Sequence, residues 1–307
     1  MSVVIETQYL SKQFPNGTKA VSDVSISIQK GDIYGLIGLN GAGKTTLFRL
    51  LLGMNKPTSG VSYLNGKRVS KWAYEVYQDV GYMIETPYAY SELTVLENMQ
   101  LMAKLRLQKN EKVIVEMLQL LELTTYKHTK AKHLSLGNKQ RLGIAKALVH
   151  EPSILLLDEP MNGLDPSGIV DIRHILKRLA KEKGVTILIS SHILSELAHI
   201  SSQIGIIHEG KLLEETSAKA LANKTDERLV LETKNNSLAM QILMNMDFSP
   251  RKVDEKVVLT DERAIQTRDT IAKELIFQQC SLTHLSVERL SLEDYFLQVI
   301  EAKGQRI

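Results

Sequence analysis

The sequence is poor in cysteine and has no long apolar run. Its 307 residues contain one cysteine, Cys280, which excludes an internal disulfide framework and fits a reducing compartment. The chain lacks a stretch of the roughly 18–20 apolar residues that a membrane-spanning helix needs, and its first residues lack the basic flank and apolar core of a signal peptide. We therefore expect any role at a membrane to depend on a partner protein.

An excess of charge of one sign is also missing, since 38 basic and 35 acidic residues give a net charge of +3. This balance argues against a general nucleic-acid-binding protein, although it leaves a local basic patch open. The hydrophobic fraction of 43% is ordinary for a globular protein. The length permits two domains or one large domain.

Apolar runs at 154–160 and 185–192 are typical of parallel strands that are buried on both faces. Ile169, Ile172, Leu176 and Leu179 share one face of a helix between them, so the segment predicts a right-handed βαβ unit. Helical spacing recurs at 95–106 and 111–123. These two segments predict an α-rich insertion.

The remaining segments predict hairpins and a second domain. Asn65-Gly66 favours a hairpin at 61–69, and a further hairpin is expected at 204–215. After about residue 218, strand-like and helix-like segments alternate again, with helices expected at 237–246 and 268–277. A capping-box pattern at Ser291 begins the last helix. We predict a first domain over 1–217 and a small α+β domain over 218–307.

Residues 38–45, GLNGAGKT, match the phosphate-binding pattern G-x-x-x-x-G-K-[ST] between an apolar strand and an apolar helix. Such glycines let backbone N–H groups converge on phosphate oxygens, and the helix N-terminus adds partial positive charge. Lys44 is expected to reach the β- and γ-phosphates, and the Thr45 hydroxyl to bind Mg²⁺. The predicted nucleotide contacts of this loop are Asn40, Gly41, Ala42, Gly43, Lys44, Thr45 and Thr46.

The run ILLLDEP supplies two acids where a buried strand ends. Asp158 is predicted to meet Mg²⁺, because an isolated buried charge is costly. Glu159 follows in a chain taken to be extended, so it is expected to point the other way. There it would polarise the water that attacks the γ-phosphate, a contribution of about 10²–10⁴-fold in rate. The two motifs together leave many ATPases and GTPases open.

Residues 134–142, LSLGNKQRL, begin an amphipathic helix for which Ser135 is a suitable N-cap. The order of P-loop, α-rich insertion, this helix, LLLDEP, Gly163-Leu164-Asp165 and His192 resembles the ATP-binding-cassette (ABC) ATPases over about residues 3–215. The resemblance implies an α/β P-loop NTPase fold of the ABC type. Such a fold has a RecA-like core, an antiparallel β subdomain and an α-helical subdomain, here about 86–150.

The resemblance also implies a homodimer in the ATP-bound state, with two ATP molecules between head-to-tail copies. Ser135, Gly137 and Asn138 of one copy would contact the ATP held by Lys44 of the other, and Asp165 would cross the seam. Asn138 and its neighbour Leu136 depart from the glutamine and glycine that are commonest in this motif, so the contacts there are open.

Two further residues take their roles from the family resemblance. His192 would contact the γ-phosphate and help to hold Glu159 and the attacking water. Phe14, ahead of the P-loop, matches the aromatic residue that stacks on adenine. A phenylalanine with a packing role alone is the alternative.

Glu85 stands where glutamine is usual in the family, in the loop that touches Mg²⁺ or the attacking water and faces the membrane subunit. A carboxylate can bind Mg²⁺ as an amide oxygen does. With glutamate at this position, the chain resembles the lantibiotic exporters and the related bacitracin-resistance ATPases. Its C-terminal segment with the sequence SLEDYF resembles the tail of drug and peptide exporters. A solvated loop acid is the alternative for Glu85.

The sequence therefore predicts the ATP-hydrolysing subunit of a bacterial exporter, with ATP and Mg²⁺ as cofactors and a separate transmembrane permease as partner. We expect it at the cytoplasmic face of the membrane, held by the permease, without a nucleic-acid partner. The expected cargo is a lantibiotic or another antimicrobial peptide or drug. A soluble ATPase of the same fold and an exporter of a different drug or lipid stay open. A P-loop GTPase is a further alternative, and Phe14, as the expected base-stacking residue, favours ATP.

Overall fold

The computed structural model describes residues 2–70, 74–85, 87–222, 227–253, 255–289 and 291–304. The chain divides into a first unit, Met1–Lys219 with Val299–Ile307, and a second unit, Ala220–Gln298. This division differs from the predicted second domain, 218–307, at the C-terminal end. The residues from Val299 on group with the first unit, in which Lys303 forms an ion pair with Glu214.

Two sheets form the frame of the first unit. Its strands are β1 (Val3–Gln13), β2 (Lys19–Gln29), β3 (Ile33–Ile37), β4 (Ser59–Leu64), β5 (Lys67–Arg68), β6 (Val80–Met83), β7 (Ile154–Leu157), β8 (Thr186–Ser191), β9 (Gln203–His208) and β10 (Lys211–Ser217). One sheet has the order β10-β9-β3-β8-β7-β6, and the other has the order β2-β1-β4-β5. Both hairpins predicted from the sequence are present, as β4–β5 and β9–β10.

The helices of the first unit confirm the predicted α-rich insertion. They are α1 (Lys44–Leu51), α2 (Tyr74–Tyr77), α3 (Val95–Leu105), α4 (Glu111–Leu120), α5 (Leu136–Leu148), α6 (Pro166–Lys183), α7 (Leu194–Ala198) and α8 (Ala218–Ala222). Helices α3, α4 and α5 lie between β6 and β7 in the chain. The start of α3 has a capping box, in which the side chains of Thr94 and Glu97 each bond the other residue's backbone N–H.

The six-stranded sheet brings the predicted functional segments to one edge. Strands β3, β8, β7 and β6 are parallel neighbours, and β7 and β8 are completely buried, as their apolar sequences predict. Because parallel strands end at the same edge, the P-loop after β3 lies beside the residues that follow β7 and those that end β8. The expected α/β fold, with its antiparallel β subdomain and helical insertion, is confirmed.

The second unit has its own sheet and core. It contains β11 (Glu227–Thr233), β12 (Arg251–Val253), β13 (Lys256–Leu259), β14 (Leu282–Arg289), α9 (Asn236–Asn245), α10 (Glu262–Gln266) and α11 (Arg268–Phe277), and α12 (Leu292–Gly304) begins in it. The antiparallel order is β12-β13-β11-β14. Leu229 and Leu231 of β11 pack with Ile242, Leu275 and Cys280 in one core.

None of the helices in the described part of the chain combines the length and the apolar character that crossing a membrane requires.

Candidate functional site

The P-loop holds a backbone conformation that only glycine allows at two of its positions. Gly43 has a φ of 104°, and a Cβ there would lie 2.2 Å from the carbonyl oxygen of Ala20. A Cβ on Gly38 would lie 2.5 Å from the carbonyl oxygen of Ile207. Both contacts are shorter than real Cβ atoms tolerate, and the positive φ at Gly43 adds strain for any other residue. Glycine is therefore required at both positions, and Gly43 is the N-cap of α1.

The side chain of Lys44 is buried inside this loop, with 6% of it exposed. Its Nζ donates hydrogen bonds to the carbonyl oxygens of Gly38, at 2.6 Å, and Leu39, at 3.2 Å. The same Nζ lies 3.1 Å from Oε1 of Glu159. The loop thus folds over its own lysine, and the lysine pairs with the predicted catalytic acid. Asn40 and Gly41 are exposed at the tip, Ala42 is buried, and Gly43, Thr45 and Thr46 are half-buried.

Asp158 is 2% exposed and accepts a hydrogen bond on each carboxylate oxygen. Thr45 Oγ1 donates to Oδ2 at 2.6 Å, and Ser190 Oγ donates to Oδ1 at 2.6 Å. A hydroxyl and a carboxylate at this separation are oxygen ligands of the kind that Mg²⁺ prefers. No group of three or more His, Cys, Asp or Glu side chains that could hold a metal occurs among the residues described.

Glu159 does not continue the strand in the extended form that the sequence suggested. Its φ is 51°, in the left-handed region, which is uncommon for a residue with a Cβ. The chain turns there because β7 ends at Leu157 and the backbone N–H of Glu159 donates to Ser190 Oγ at 2.8 Å. The expectation of an extended chain at Glu159 was wrong, although the side chain still diverges from that of Asp158 and reaches Lys44.

His192 lies beside Glu159, as the family resemblance implied. Its Nδ1 is 2.8 Å from Oε2 of Glu159, and its side chain is 39% exposed. Glu159 therefore lies between two cationic or potentially cationic groups, with one carboxylate oxygen on each. A cleft of about 110 Å³ opens beside this pair, next to the segment that contains Asn162 and Leu164.

Glu196 of α7 also lines this cleft, and sequence analysis missed it. Burial raises the pKa of Glu196 above its usual range, and a hydrogen bond from the Ser191 hydroxyl, at 3.1 Å, opposes that rise. The negative charge of Glu159 contributes to the rise as well. No sequence pattern marked this residue, because an acid on a short helix is ordinary.

Glu85 lies two residues after β6, at a φ of 62°, with 59% of its side chain exposed. Its carboxylate forms an ion pair with the guanidinium of Arg49 on α1. The strand-to-loop position predicted for Glu85 is confirmed, whereas its partner was not foreseen. Arg49 is a basic residue in the last turn of α1, where such residues complement the helix dipole, so its position did not indicate the ion pair.

The signature segment is exposed at Ser135 and Leu136, half-buried at Gly137 and Asn138, and bonded mainly to itself. Ser135 is the N-cap of α5, and its Oγ accepts a hydrogen bond from the backbone N–H of Asn138 at 3.2 Å. Leu136 is 48% exposed, and its Cδ2 would lie 2.7 Å from a Cβ on Gly163. Among the described residues, no hydrogen bond or ion pair links residues 135–138 to residues 38–46 of the same chain.

Asp165 is the N-cap of α6. Its carboxylate accepts hydrogen bonds from the Ser167 hydroxyl, at 2.7 Å, and from the backbone N–H of Gly168, at 3.1 Å. These two bonds, the Ser167 hydroxyl first, lower the pKa of Asp165 from its usual value. A local helix-capping role is therefore present whether or not Asp165 also meets a second copy of the chain.

Phe14 lies in the turn between β1 and β2, where it is half-buried. The turn is closed by two backbone hydrogen bonds, from Phe14 N–H to the Thr18 carbonyl and from Gly17 N–H to the Phe14 carbonyl, both at 2.9 Å. The ammonium of Lys12 lies 5.2 Å from the centroid of the Phe14 ring, within the range of a cation–π contact. The half-buried ring thus has a cationic side chain as a neighbour in this turn.

The sequence is similar to those of known ATP-binding proteins. The protein-family model described as ABC transporter matches residues 21–162. The bacitracin transport ATP-binding protein BcrA of Enterococcus faecalis is 39% identical over 308 residues, which cover 99% of this chain and 98% of that protein. The uncharacterized ABC transporter ATP-binding protein YcbN of Bacillus subtilis (strain 168) is 39% identical over 305 residues and 99% of both chains. The lantibiotic transport ATP-binding protein SrtF of Streptococcus pyogenes is 40% identical over 210 residues, or 68% of this chain and 89% of that protein.

Solved structures of ATP-binding cassettes resemble this chain as well. CbiO1 from Clostridium perfringens, part of an ABC transporter complex, has a TM-score of 0.67 at 24% identity and covers 80% of this chain and 97% of its own. At that identity the likeness concerns the fold alone. A dimeric post-hydrolysis state of the cassette MJ0796 bound to ADP and phosphate has a TM-score of 0.64 at 25% identity, covering 70% of this chain and 98% of its own.

Proposed function

The chain belongs to the ABC transporter family of ATP-binding proteins, and from that premise we propose that it powers a bacterial exporter of antimicrobial peptides. As a member of this family it binds and hydrolyses ATP. Proteins of this kind dimerise and work with transmembrane permeases. The cargo, the direction of transport and the roles of individual residues are our proposal. The observation that carries the residue roles is the network joining Lys44, Thr45, Asp158, Glu159 and His192 at one edge of the sheet, whereas the cargo is proposed from the similarity to transport proteins.

Nucleotide binding begins with an exchange of partners at Lys44. The lysine is paired with Glu159 at 3.1 Å, and the γ-phosphate of ATP is a more highly charged partner for the same ammonium. Phosphate that takes over Lys44 frees one oxygen of Glu159. The backbone N–H groups from Asn40 to Thr46 bind the remaining phosphate oxygens at the N-terminus of α1, and Phe14 stacks on the adenine.

The free oxygen of Glu159 then accepts a proton from the attacking water. His192 keeps its 2.8 Å contact with the other oxygen, so the carboxylate cannot rotate away. His192 also lies at the mouth of the cleft, where it can contact the γ-phosphate. General-base assistance of this kind contributes about 10²–10⁴-fold to the rate.

Thr45 and Asp158 would hold Mg²⁺, since their oxygens already lie 2.6 Å apart. When bound there, Mg²⁺ would supply positive charge to offset the charge that develops on the phosphates. Glu85 lies close enough to α1 to bond Arg49, and we propose that it exchanges this partner for the Mg²⁺ shell or the water when nucleotide is bound. The same loop would face the permease, which holds the chain at the cytoplasmic side of the membrane.

The exposed signature segment would complete the site of a second copy of the chain. Ser135, Gly137 and Asn138 lie at the N-terminus of α5, where N–H groups and the helix dipole favour an anion. The γ-phosphate held by the partner's P-loop is that anion, and Asp165 would lie across the seam. ATP then joins the two copies, and its hydrolysis releases them, which moves the permease.

The proposed cargo is supported by the similarity to the bacitracin transport protein, which spans both units of the chain. The similarity to the lantibiotic transport protein covers 68% of the chain, and Glu85 is the feature from which the sequence predicted this group. Nothing in the ATP site would contact cargo, so selectivity would lie in the permease.

Expression with its permease in a peptide-sensitive bacterium tests this function. We expect the pair to raise the inhibitory concentration of bacitracin or of a lantibiotic, and Lys44→Ala to abolish that protection. Lys104→Ala, an exposed lysine on α3, is the matched control and should protect as the parent does. Hydrolysis of ATP by the complex without protection against any peptide of the panel would contradict the proposed cargo and leave the ATPase assignment intact.

A further inference from the structure

Ser190 connects the two acids of the site. It is the fifth residue of β8, its exposure is 0%, and its hydroxyl makes two hydrogen bonds to the segment after β7. The hydroxyl donates to Asp158 Oδ1 at 2.6 Å and accepts from the backbone N–H of Glu159 at 2.8 Å. One buried oxygen therefore fixes both the side chain of one acid and the backbone of the next.

The register of the sheet places Ser190 at this point. β7 and β8 are parallel, and Leu157 pairs with Ile189. Asp158 and Ser190 are the residues that follow this pair in the two segments, so they lie side by side. The backbone at Glu159 then turns into the left-handed region, with a φ of 51°, which a residue other than glycine adopts only when its surroundings impose it. The bond from its N–H to Ser190 is such a constraint.

We propose that Ser190 is a positioning residue for ATP hydrolysis, which orients Asp158 for the metal and holds the Glu159 backbone in its turned conformation. This inference rests on the roles proposed above for Asp158 and Glu159. With Oδ1 of Asp158 bonded to Ser190, Oδ2 is directed at the Thr45 hydroxyl. With the backbone N–H of Glu159 bonded to the same oxygen, its side chain is set between Lys44 and His192.

Thr186 provides a matched control on the same strand. It is 1% exposed, and its hydroxyl accepts a hydrogen bond from the backbone N–H of Gly31 at 2.9 Å. Thr186→Val and Ser190→Ala each remove one buried hydroxyl that bonds a backbone N–H. Thr186 is at the N-terminal end of β8, and Ser190 is near its C-terminal end, beside the site. A general loss of stability should therefore affect both variants, whereas a loss of positioning at the site should affect only Ser190→Ala.

The test measures metal binding as well as turnover, on the full-length chain. Mn²⁺ is the probe, and its affinity for the complex with a non-hydrolysable ATP analogue is read from the spin-resonance signal of free Mn²⁺. We expect Ser190→Ala to weaken Mn²⁺ binding and to lower kcat, each about tenfold to a hundredfold, with the KM for ATP little changed. Ser190→Thr, which keeps the hydroxyl, should restore both quantities, and Thr186→Val should match the parent in both.

Equal Mn²⁺ affinity and equal kcat in Ser190→Ala and Thr186→Val would overturn the inference, as would failure of Ser190→Thr to restore them. If Ser190→Ala does not fold, Ser190→Cys carries the test, because a thiol is a weaker donor. Its Mn²⁺ affinity should then fall below that of the parent, and parental affinity would overturn the inference. A parent chain that neither binds the analogue with Mn²⁺ nor hydrolyses ATP would instead contradict the proposed function.

Discussion

The P-loop side and the signature side of this chain hold their polar groups in different ways. On the P-loop side, Lys44, Asp158 and Ser190 are buried, and each is bonded to groups from other segments. On the signature side, Ser135 and Asp165 are bonded only within their own helix starts among the contacts described. One side is a connected network of strand ends, and the other is a pair of capped helix N-termini on the surface.

This difference indicates how each side would bind the phosphates of ATP. The P-loop side has its charges already paired, so ATP must displace the carboxylate of Glu159 from Lys44. On the signature side, no carboxylate is bonded to the N-terminus of α5 among the contacts described, and a helix N-terminus favours an anion. A chain with one closed and one open side is suited to a head-to-tail dimer, in which the open side of each copy covers the nucleotide of the other.

The largest effect is expected from Glu159→Gln, which breaks the P-loop network at its centre. The kcat for ATP should fall by about 10²–10⁴-fold, because the amide is not a general base. ATP affinity should be retained or rise, since a neutral side chain no longer competes for Lys44. Steady-state hydrolysis and equilibrium binding measure the two quantities. Glu182→Gln, an exposed acid on α6, should behave as the parent, and normal turnover in Glu159→Gln would refute the assignment of the base.

Removing the Lys44 ammonium from the same network should lower the affinity for ATP. Lys44→Ala is expected to weaken ATP binding about tenfold to a hundredfold, the range for a lost hydrogen bond between charged groups. Titration with a fluorescent ATP analogue measures this affinity, and Lys104→Ala serves as the control. An unchanged affinity in Lys44→Ala would show that the lysine serves only its own loop.

A smaller effect is expected at Arg49 and Glu85, whose side chains are 39% and 59% exposed. Such an ion pair stabilises the fold by about 0–1 kcal/mol, and less at high salt. A double-mutant cycle on the free energy of unfolding should find a coupling in this range. Glu85→Ala should impair peptide export more than ATP binding. Unchanged resistance in Glu85→Ala would indicate a surface charge without a role in transport.

The smallest effect is expected at His150, which lies outside both sides, just after the C-terminal end of α5. It follows the helix that Ser135 begins, and its Nε2 lies 3.1 Å from the Val80 carbonyl of β6. Burial is the largest cause that lowers the pKa of His150 from 6.5 to about 4. The unfolded chain therefore binds this proton first as pH falls, so stability from the neutral ring is present above pH 6.5 and is lost towards about pH 4.

Denaturant unfolding at about pH 7.5 and about pH 5 measures this linkage. The free energy of unfolding of the parent should fall between the two conditions by more than that of His150→Gln, which cannot take up the proton. Equal falls in the two proteins would contradict the role of His150.

Residues with a local sequence pattern were predictable. The P-loop glycines, Lys44 and the cap at Ser135 each follow from a few neighbouring residues, because helix starts and phosphate loops are short-range structures. Asp158 followed from its place at the end of an apolar strand. The second unit, with helices at 236–245 and 268–277, likewise followed from hydrophobic periodicity.

Residues that act across strands were not predictable in the same way. Ser190 meets Asp158 because β7 and β8 are in one register, and a serine in an apolar run does not encode that register. Arg49 and Glu85 are 36 residues apart in sequence. The turn at Glu159 was missed for the same reason, since the bond that imposes it comes from another strand.

The molar mass of the Glu159→Gln chain in solution, measured with and without ATP and Mg²⁺, tests most directly whether the open signature side needs a second copy. We expect the mass to double when ATP is added. We also expect Glu159→Gln combined with Ser135→Arg to bind ATP with the same affinity and to keep the mass of a single chain. A mass that does not respond to ATP, or an equal doubling with Ser135→Arg, would contradict a nucleotide site that a second copy completes.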